Sequence, residues 1–136
     1  MRPLLIAVVS IAFWQSASAK ECTPVQARSA EAIAATRHTW QEIHAAYRLF
    51  AHCDDGAIAE GFTQSVVHHL ASRWSALPEA ERLFVQDTQF EVFVIKHIDA
   101  SASNKELEQI IEQSTRRCPA GAQALCRKLE KAAREQ

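Results

Sequence analysis

Four cysteines, Cys22, Cys53, Cys118 and Cys126, constrain the fold most, because the segment ahead of them carries the marks of an export signal. Residues 1–19 are MRPLLIAVVSIAFWQSASA: a positive charge at Arg2, an apolar run from Pro3 to Trp14, and Ala17-Ser18-Ala19 as a small-x-small cleavage pattern. That run is too short for a permanent membrane span, which needs about 20 apolar residues. The pattern predicts a mature chain from Lys20 onward, periplasmic or secreted, where thiols oxidise. Lys20 and Glu21 separate Cys22 from the cleavage pattern, which argues against lipid attachment.

An even cysteine count after export favours two structural disulfides over metal ligation or a free nucleophile. There is no CxxC pair and no Cys/His zinc spacing. Residues 20–136 make one domain's worth of chain. A core of that size is modest, and small exported domains supplement such cores with bridges worth about 2–5 kcal/mol each.

The mature chain reads as all-α. Its glycines are only Gly56, Gly61 and Gly121, its prolines only Pro24, Pro78 and Pro119, and no segment alternates like a strand for long. A first helix begins at Thr23-Pro24 and runs to about Ala51, with Ile33, Trp40 and Tyr47 at seven-residue spacing and Ile43 and Phe50 beside them. A second is capped by Asp54 or Asp55 and carries the row Ile58, Phe62, Val66, Leu70, Trp74. A short helix follows Pro78. Asp87 caps the next, with Phe90, Phe93, Val94, His97 and Ile98 inward. Ser103 with Glu106 forms a capping box for another, ended by Pro119 and Gly121, and a last helix carries Leu125 and Leu129. The expectation is a single compact domain of five or six helices stapled by disulfides.

The first helix bears on the pairing. If residues 24–51 form one straight helix, a rise of about 1.5 Å per residue puts Cys22 roughly 40 Å from Cys53, far beyond bridging distance. Cys22–Cys53 is then excluded, and Cys118–Cys126 with it if all four pair. Of the two remaining pairings, Cys53–Cys118 with Cys22–Cys126 is preferred. The weak point is Thr36-Arg37-His38-Thr39, a cluster of poorer helix formers, and a break there restores sequential pairing.

Charge narrows the choice of partner. From Lys20 onward there are 14 basic and 16 acidic residues, a net −2 that argues against a nucleic-acid binder. Residues 54–112 hold eleven acids against four bases, and residues 113–136 hold six bases against two acids. This is either a pair of solvated helix faces or an acidic surface that steers a cationic partner.

Two constellations stand out. Cys53-Asp54-Asp55-Gly56 with Glu60 places three acids at the start of a helix, which serves either as a cap favourable to the helix dipole or as a carboxylate site for a cation or a basic side chain. It lacks EF-hand spacing. Lys96-His97-Ile98-Asp99 puts His97 on an apolar helix face, where a satisfied core histidine is the commoner outcome than a ligand or base. Neither HExxH nor GxSxG occurs, and His68-His69 point about 100° apart. Asp54, Asp55, Glu60, His97 and Asp99 are therefore binding candidates, with no catalytic residue, metal ligand or cofactor assigned.

The strings CDDGAIAEGF (53–62), VxxL (67–70) with Trp74, FVIKHIDA (93–100), RRCP (116–119) and a later LC (125–126) resemble an uncharacterised family of small exported proteobacterial proteins. The resemblance implies a bacterial, periplasmic setting and brings no catalytic residues with it. Size, export, helicity and cysteines are also similar in architecture to the periplasmic immunity proteins that neutralise type VI secretion amidases. The expected function is a non-enzymatic, protein-binding immunity or inhibitor protein with a cationic toxin or envelope enzyme as partner, no nucleic acid and no stable membrane insertion. The alternatives are an envelope enzyme or metal-dependent protein using Asp54, Asp55, Glu60 and His97, and a structural helical homodimer. Intact-mass measurement of protein from a periplasmic extract should give a chain starting at Lys20, and retention of residues 1–19 would contradict export.

Overall fold

The computed structural model describes residues 20–136; the export segment 1–19 lies outside the described residues. Seven α-helices follow in order: α1 Pro24–Ala34, α2 Trp40–Phe50, α3 Gly56–Ser72, α4 Leu77–Gln86, α5 Thr88–Lys96, α6 Asn104–Arg116 and α7 Gln123–Arg134. Short 3-10 turns at Ala51–Cys53 and Trp74–Ala76 lead into α3 and α4. No strand occurs among the described residues, and none of their helices is long and apolar enough to cross a membrane.

The count is seven rather than five or six because the expected first helix breaks at 35–39. Polar side chains capture the backbone there. Thr36 Oγ1 donates back to the Ile33 carbonyl. Glu42 accepts from the N–H groups of His38 and Thr39 while Thr39 Oγ1 accepts from Glu42 N–H, a complete capping box that starts α2. These local bonds compete with helix continuation and win. A second capping box, Thr23 with Gln26, starts α1 behind Pro24, and a third, Ser103 with Glu106, starts α6.

The break overturns the preferred disulfide pairing. The chain doubles back, Cys22 comes within 5.0 Å (Cα–Cα) of Cys53, and the two are bonded. Cys118 and Cys126 are bonded at 6.0 Å across the turn between α6 and α7. Sequential pairing thus replaces Cys53–Cys118 and Cys22–Cys126, and the cause is the weak point at 36–39.

Helix α3 is the centre of the packing, against α1, α2 and α6, and it buries residues around most of its circumference, from Ile58 to Ala71. The row Ile58, Phe62, Val66, Leu70 is buried as its spacing requires, and Trp74, just past the helix end, remains buried and donates its indole N–H to the Arg117 carbonyl at 2.8 Å. Trp40 is buried with its ring edge-on to His69 at 5.4 Å, and its indole N–H has no partner. Phe62, Phe84, Phe90, Phe93 and Tyr47 extend an aromatic cluster from α3 to α2, α4 and α5. Such ring pairs contribute about 0.5–1.5 kcal/mol beyond the area they bury.

Two glycines are required by geometry. Gly56 has φ +51° where the chain enters α3, and Asp55 caps its N–H. Gly61 lies against the end of α1, where an added Cβ would sit 2.9 Å from Ala34 Cβ and 3.2 Å from the Ala35 nitrogen. Gly61→Ala therefore sets a helix-propensity gain of about 1 kcal/mol against an overpacking cost of about 1–3 kcal/mol. Because the obstructing atoms include backbone, the cost should win, with a net loss of about 1 kcal/mol in urea unfolding.

Candidate functional site

The Asp54 turn precedes α3, Thr63 is on α3, and Lys96, His97 and Asp99 mark the end of α5. His97 caps α5 through its own N–H, which donates to the Phe93 and Val94 carbonyls. That fixes the ring between Phe93 (4.3 Å between centroids) and Phe62 (5.8 Å), leaving it 1% exposed. A buried imidazole needs partners at both nitrogens. Nδ1 lies 3.0 Å from Thr63 Oγ1, and Nε2 lies 3.2 Å from both carboxylate oxygens of Asp54. Lys96 Nζ closes the outer side, 2.6 Å from Asp54 Oδ2.

Thr63 extends the chain of bonds to Asp99. Its hydroxyl has one proton, donated to Asp99 Oδ2 at 2.8 Å, so towards His97 it accepts and Nδ1 acts as a donor, as Nε2 does towards Asp54. The other Asp99 oxygen accepts from Ser101 N–H at 2.8 Å and from Ser101 Oγ at 2.6 Å. Burial works to raise the Asp54 carboxyl, but hydrogen bonds from His97 and Lys96 outweigh it and hold the group below its ordinary value. Burial of Asp99 is likewise outweighed, by hydrogen bonds from Ser101 and Thr63.

Three of the five sequence candidates, Asp54, His97 and Asp99, therefore belong to one network. Asp55 stands outside it as the exposed cap of α3, and Glu60 is exposed one turn further along. The four residues of the enzyme reading, Asp54, Asp55, Glu60 and His97, do not line a common cavity. Thr63 is the member that sequence reasoning missed. The available signal was a hydroxyl placed beside the apolar row, immediately after Phe62. The order Thr63–His97–Asp54 has the connectivity of a nucleophile, base and orienting acid. Its proton inventory differs: Thr63 spends its proton on Asp99, Nδ1 has no free lone pair for it, and Thr63 is 2% exposed. The network fastens the Cys53–Asp54 turn, α3 and the end of α5 together.

A second, partly buried pair was also missed. His44 Nε2 lies 2.8 Å from Asp87 Oδ2, while Asp87 Oδ1 caps α5 at the Phe90 N–H. The His44 hydrogen bond is the main reason the Asp87 carboxyl is lowered. Among the described residues, no group of three or more His, Cys, Asp or Glu is placed to hold a metal ion.

An open cleft adjoins the network. It lies between α3 and the segment entering α6, has a volume of about 250 Å³, and is lined by Glu60, Thr63, Gln64, Val67, Ser101, Ala102 and Glu106. Thr63 and Ser101 both direct their protons to Asp99. Glu106 uses Oε2 in its capping box and has Oε1 to spare. With Glu60 added, most polar groups of the cleft offer acceptors, and only Gln64 brings donors of its own. Its complement is a donor-rich cationic group.

In comparisons with known proteins, no family model, no curated protein and no solved structure matches this chain.

Three of the lowered carboxyls, those of Asp54, Asp87 and Asp99, are at least partly buried and give stability a pH dependence. Asp54, Asp87 and Asp99 bind protons less readily in the fold than in the unfolded chain, so stability rises with pH. Their contribution is complete above the ordinary carboxylate value of about 4 and drains away as pH falls through the lower folded values. Urea midpoints measured from about pH 7 to about pH 3 should fall most steeply at the acid end, and Asp54→Asn should flatten that slope.

Proposed function

We propose that this chain is an exported, non-enzymatic protein-binding protein of the immunity or inhibitor kind, and that its partner places a cationic side chain, arginine or lysine, in the cleft between α3 and α6. The observation that carries the reading is the acceptor-rich lining of that cleft, with Glu60 and Glu106 as its carboxylates and the Thr63 and Ser101 protons committed to Asp99. The charge of the surrounding chain supports it. Residues 54–112 carry the acidic excess, and an acidic field draws in a cationic partner and raises its association rate. The two disulfides suit a periplasmic or secreted setting. Of the sequence candidates, Glu60 faces the partner in this reading, Asp54, His97 and Asp99 hold the cleft wall in place, and Asp55 caps α3.

The test replaces both cleft carboxylates while preserving the fold. Glu106→Gln keeps the capping box, because glutamine serves at that position as glutamate does. Protein captured by the wild-type chain from an envelope extract should associate about tenfold more slowly with Glu60→Gln/Glu106→Gln at low salt, and the gap should narrow as salt rises. An unchanged rate with the fold intact would remove the cleft from the interface. Failure of the wild-type chain to capture any specific protein would count against the binding reading itself.

A further inference from the structure

We propose that the Cys118–Cys126 bridge is a thiol–disulfide exchange site, opened by a dithiol reductant that attacks Cys118 and expels Cys126. The bridge borders an open depression of about 300 Å³ between α6 and α7, whose wall includes Ser114, Arg127 and Glu130. Cys118 is half-buried and Cys126 is only 3% exposed, so an incoming thiol meets Cys118. The reacting form of a thiol is the anion, and cationic surroundings draw it in. Arg116 and Arg117 directly precede Cys118, and Arg127 stands on the wall of the depression. Arg116 meets Glu112 only at 4.0 Å. Glu130, the acid of the wall, is engaged by Arg134 at 2.8 Å.

The sulfur that leaves is placed to carry negative charge. Cys126 is in the first turn of α7, and helix side chains lean towards the N-terminus. No side chain caps that end, and a helix N-terminus favours a thiolate over a thiol. Ser114 lines the same depression, is 4% exposed, and its hydroxyl has no partner among the described residues. A buried hydroxyl without a partner is costly, and a thiolate formed at Cys126 supplies an acceptor for its proton. The exchange balances. The attacking thiolate bonds to Cys118 as the Cys118–Cys126 bond breaks, and Cys126 leaves with the electron pair. The second thiol of the reductant then attacks the mixed disulfide, Cys118 leaves as a thiolate, and the reductant departs as a disulfide. Two electrons pass to the bridge, and the two protons of the dithiol end on Cys118 and Cys126. The other bridge has mixed charges around it, Lys20 and Glu21 before Cys22 and Asp54 and Asp55 after Cys53. It spans 31 positions rather than eight, so opening it releases more chain. Once reduced, Cys118 and Cys126 stay close, because buried Leu125 and Leu129 keep α7 packed on α6, and the short loop recloses readily.

Exchange with reduced glutathione tests the proposal. Oxidised protein is incubated with it at about pH 8, near the ordinary thiol range, with an alkylating agent present to trap the released cysteine, and is then mapped by mass spectrometry without reduction. Cys118 should carry the glutathione and Cys126 the alkyl group, while Cys22–Cys53 stays closed until the second bridge has opened. Ser114→Ala should slow the opening about threefold. Arg127→Glu should also slow it about threefold at low salt, and the gap should close as salt rises. With dithiothreitol as the probe, the product should be the free Cys118 and Cys126 thiols, with the helical circular-dichroism spectrum unchanged. Glutathione found on Cys126, earlier opening of Cys22–Cys53, or a rate that neither variant changes would each overturn the proposal. None of these readouts involves the cleft between α3 and α6, so the outcome is independent of the proposed function.

Discussion

The Ser65 hydroxyl is the contact on which the arrangement of helices turns. It donates to the Ala34 carbonyl and accepts from the Arg37 N–H at 3.4 Å, so one side chain of α3 serves two backbone groups that the break between α1 and α2 exposes. A broken helix leaves unpaired groups that must find partners if they are to be buried. One turn earlier on α3, Gly61 offers no side chain, and α1 can come close enough for Ser65 to reach. Arg73, past the end of α3, adds a bond to the His38 carbonyl at 3.1 Å. With the break secured on α3, α1 lies beside α3, Cys22 meets Cys53, and the turn that holds Asp54 is fixed in place.

That turn is where structure and candidate function meet. Asp54 is tied to Cys53 by sequence and to Lys96 and His97 by hydrogen bonds. Burying two carboxylates, an imidazole and a hydroxyl is costly unless the bonds among them are nearly complete. Here they are nearly complete, and within this network the buried oxygen without a well-aligned donor is Asp54 Oδ1. A secondary effect is chemical. Asp99 takes the hydroxyl protons of both Thr63 and Ser101, so neither hydroxyl has a proton to offer a group in the cleft. The polarity of the neighbouring cleft is thus decided by a residue that does not line it.

The helical class was legible because it rests on local chemistry: capping residues at Thr23, Asp55, Asp87 and Ser103, stops at Pro119 and Gly121, and the apolar row of α3. What was not legible depended on competition between local and distant partners. Trp40 and Tyr47 kept their seven-residue phase with Ile33, which suggested continuity, yet the four residues from Thr36 to Thr39 had a better use for their side chains than helix continuation. One such break changed both the number of helices and the disulfide pairing. For the site, Asp54, His97 and Asp99 were visible as ionisable residues in short motifs. Their mutual contact was not, because Thr63 joins them across more than thirty residues of chain and a threonine on a helix carries no distinctive pattern. The pairing of His44 with Asp87 was hidden for the same reason.

Sequential pairing has a consequence for the topology of covalent links. The two bridges neither overlap nor nest: one closes a loop within the first third of the described chain, the other joins cysteines eight positions apart near its end. Between Cys53 and Cys118 the molecule is a single covalent strand. A nick in the exposed Ala100–Ser101 turn would yield two pieces, each keeping its own cystine, held as one body by non-covalent contacts such as the packing of α3 against α6 and the Trp74 bond to the Arg117 carbonyl. The seven residues that line the cleft all lie in this unlinked middle. The two bridges thus brace the ends of the described chain and leave the cleft to be held by packing and hydrogen bonds alone.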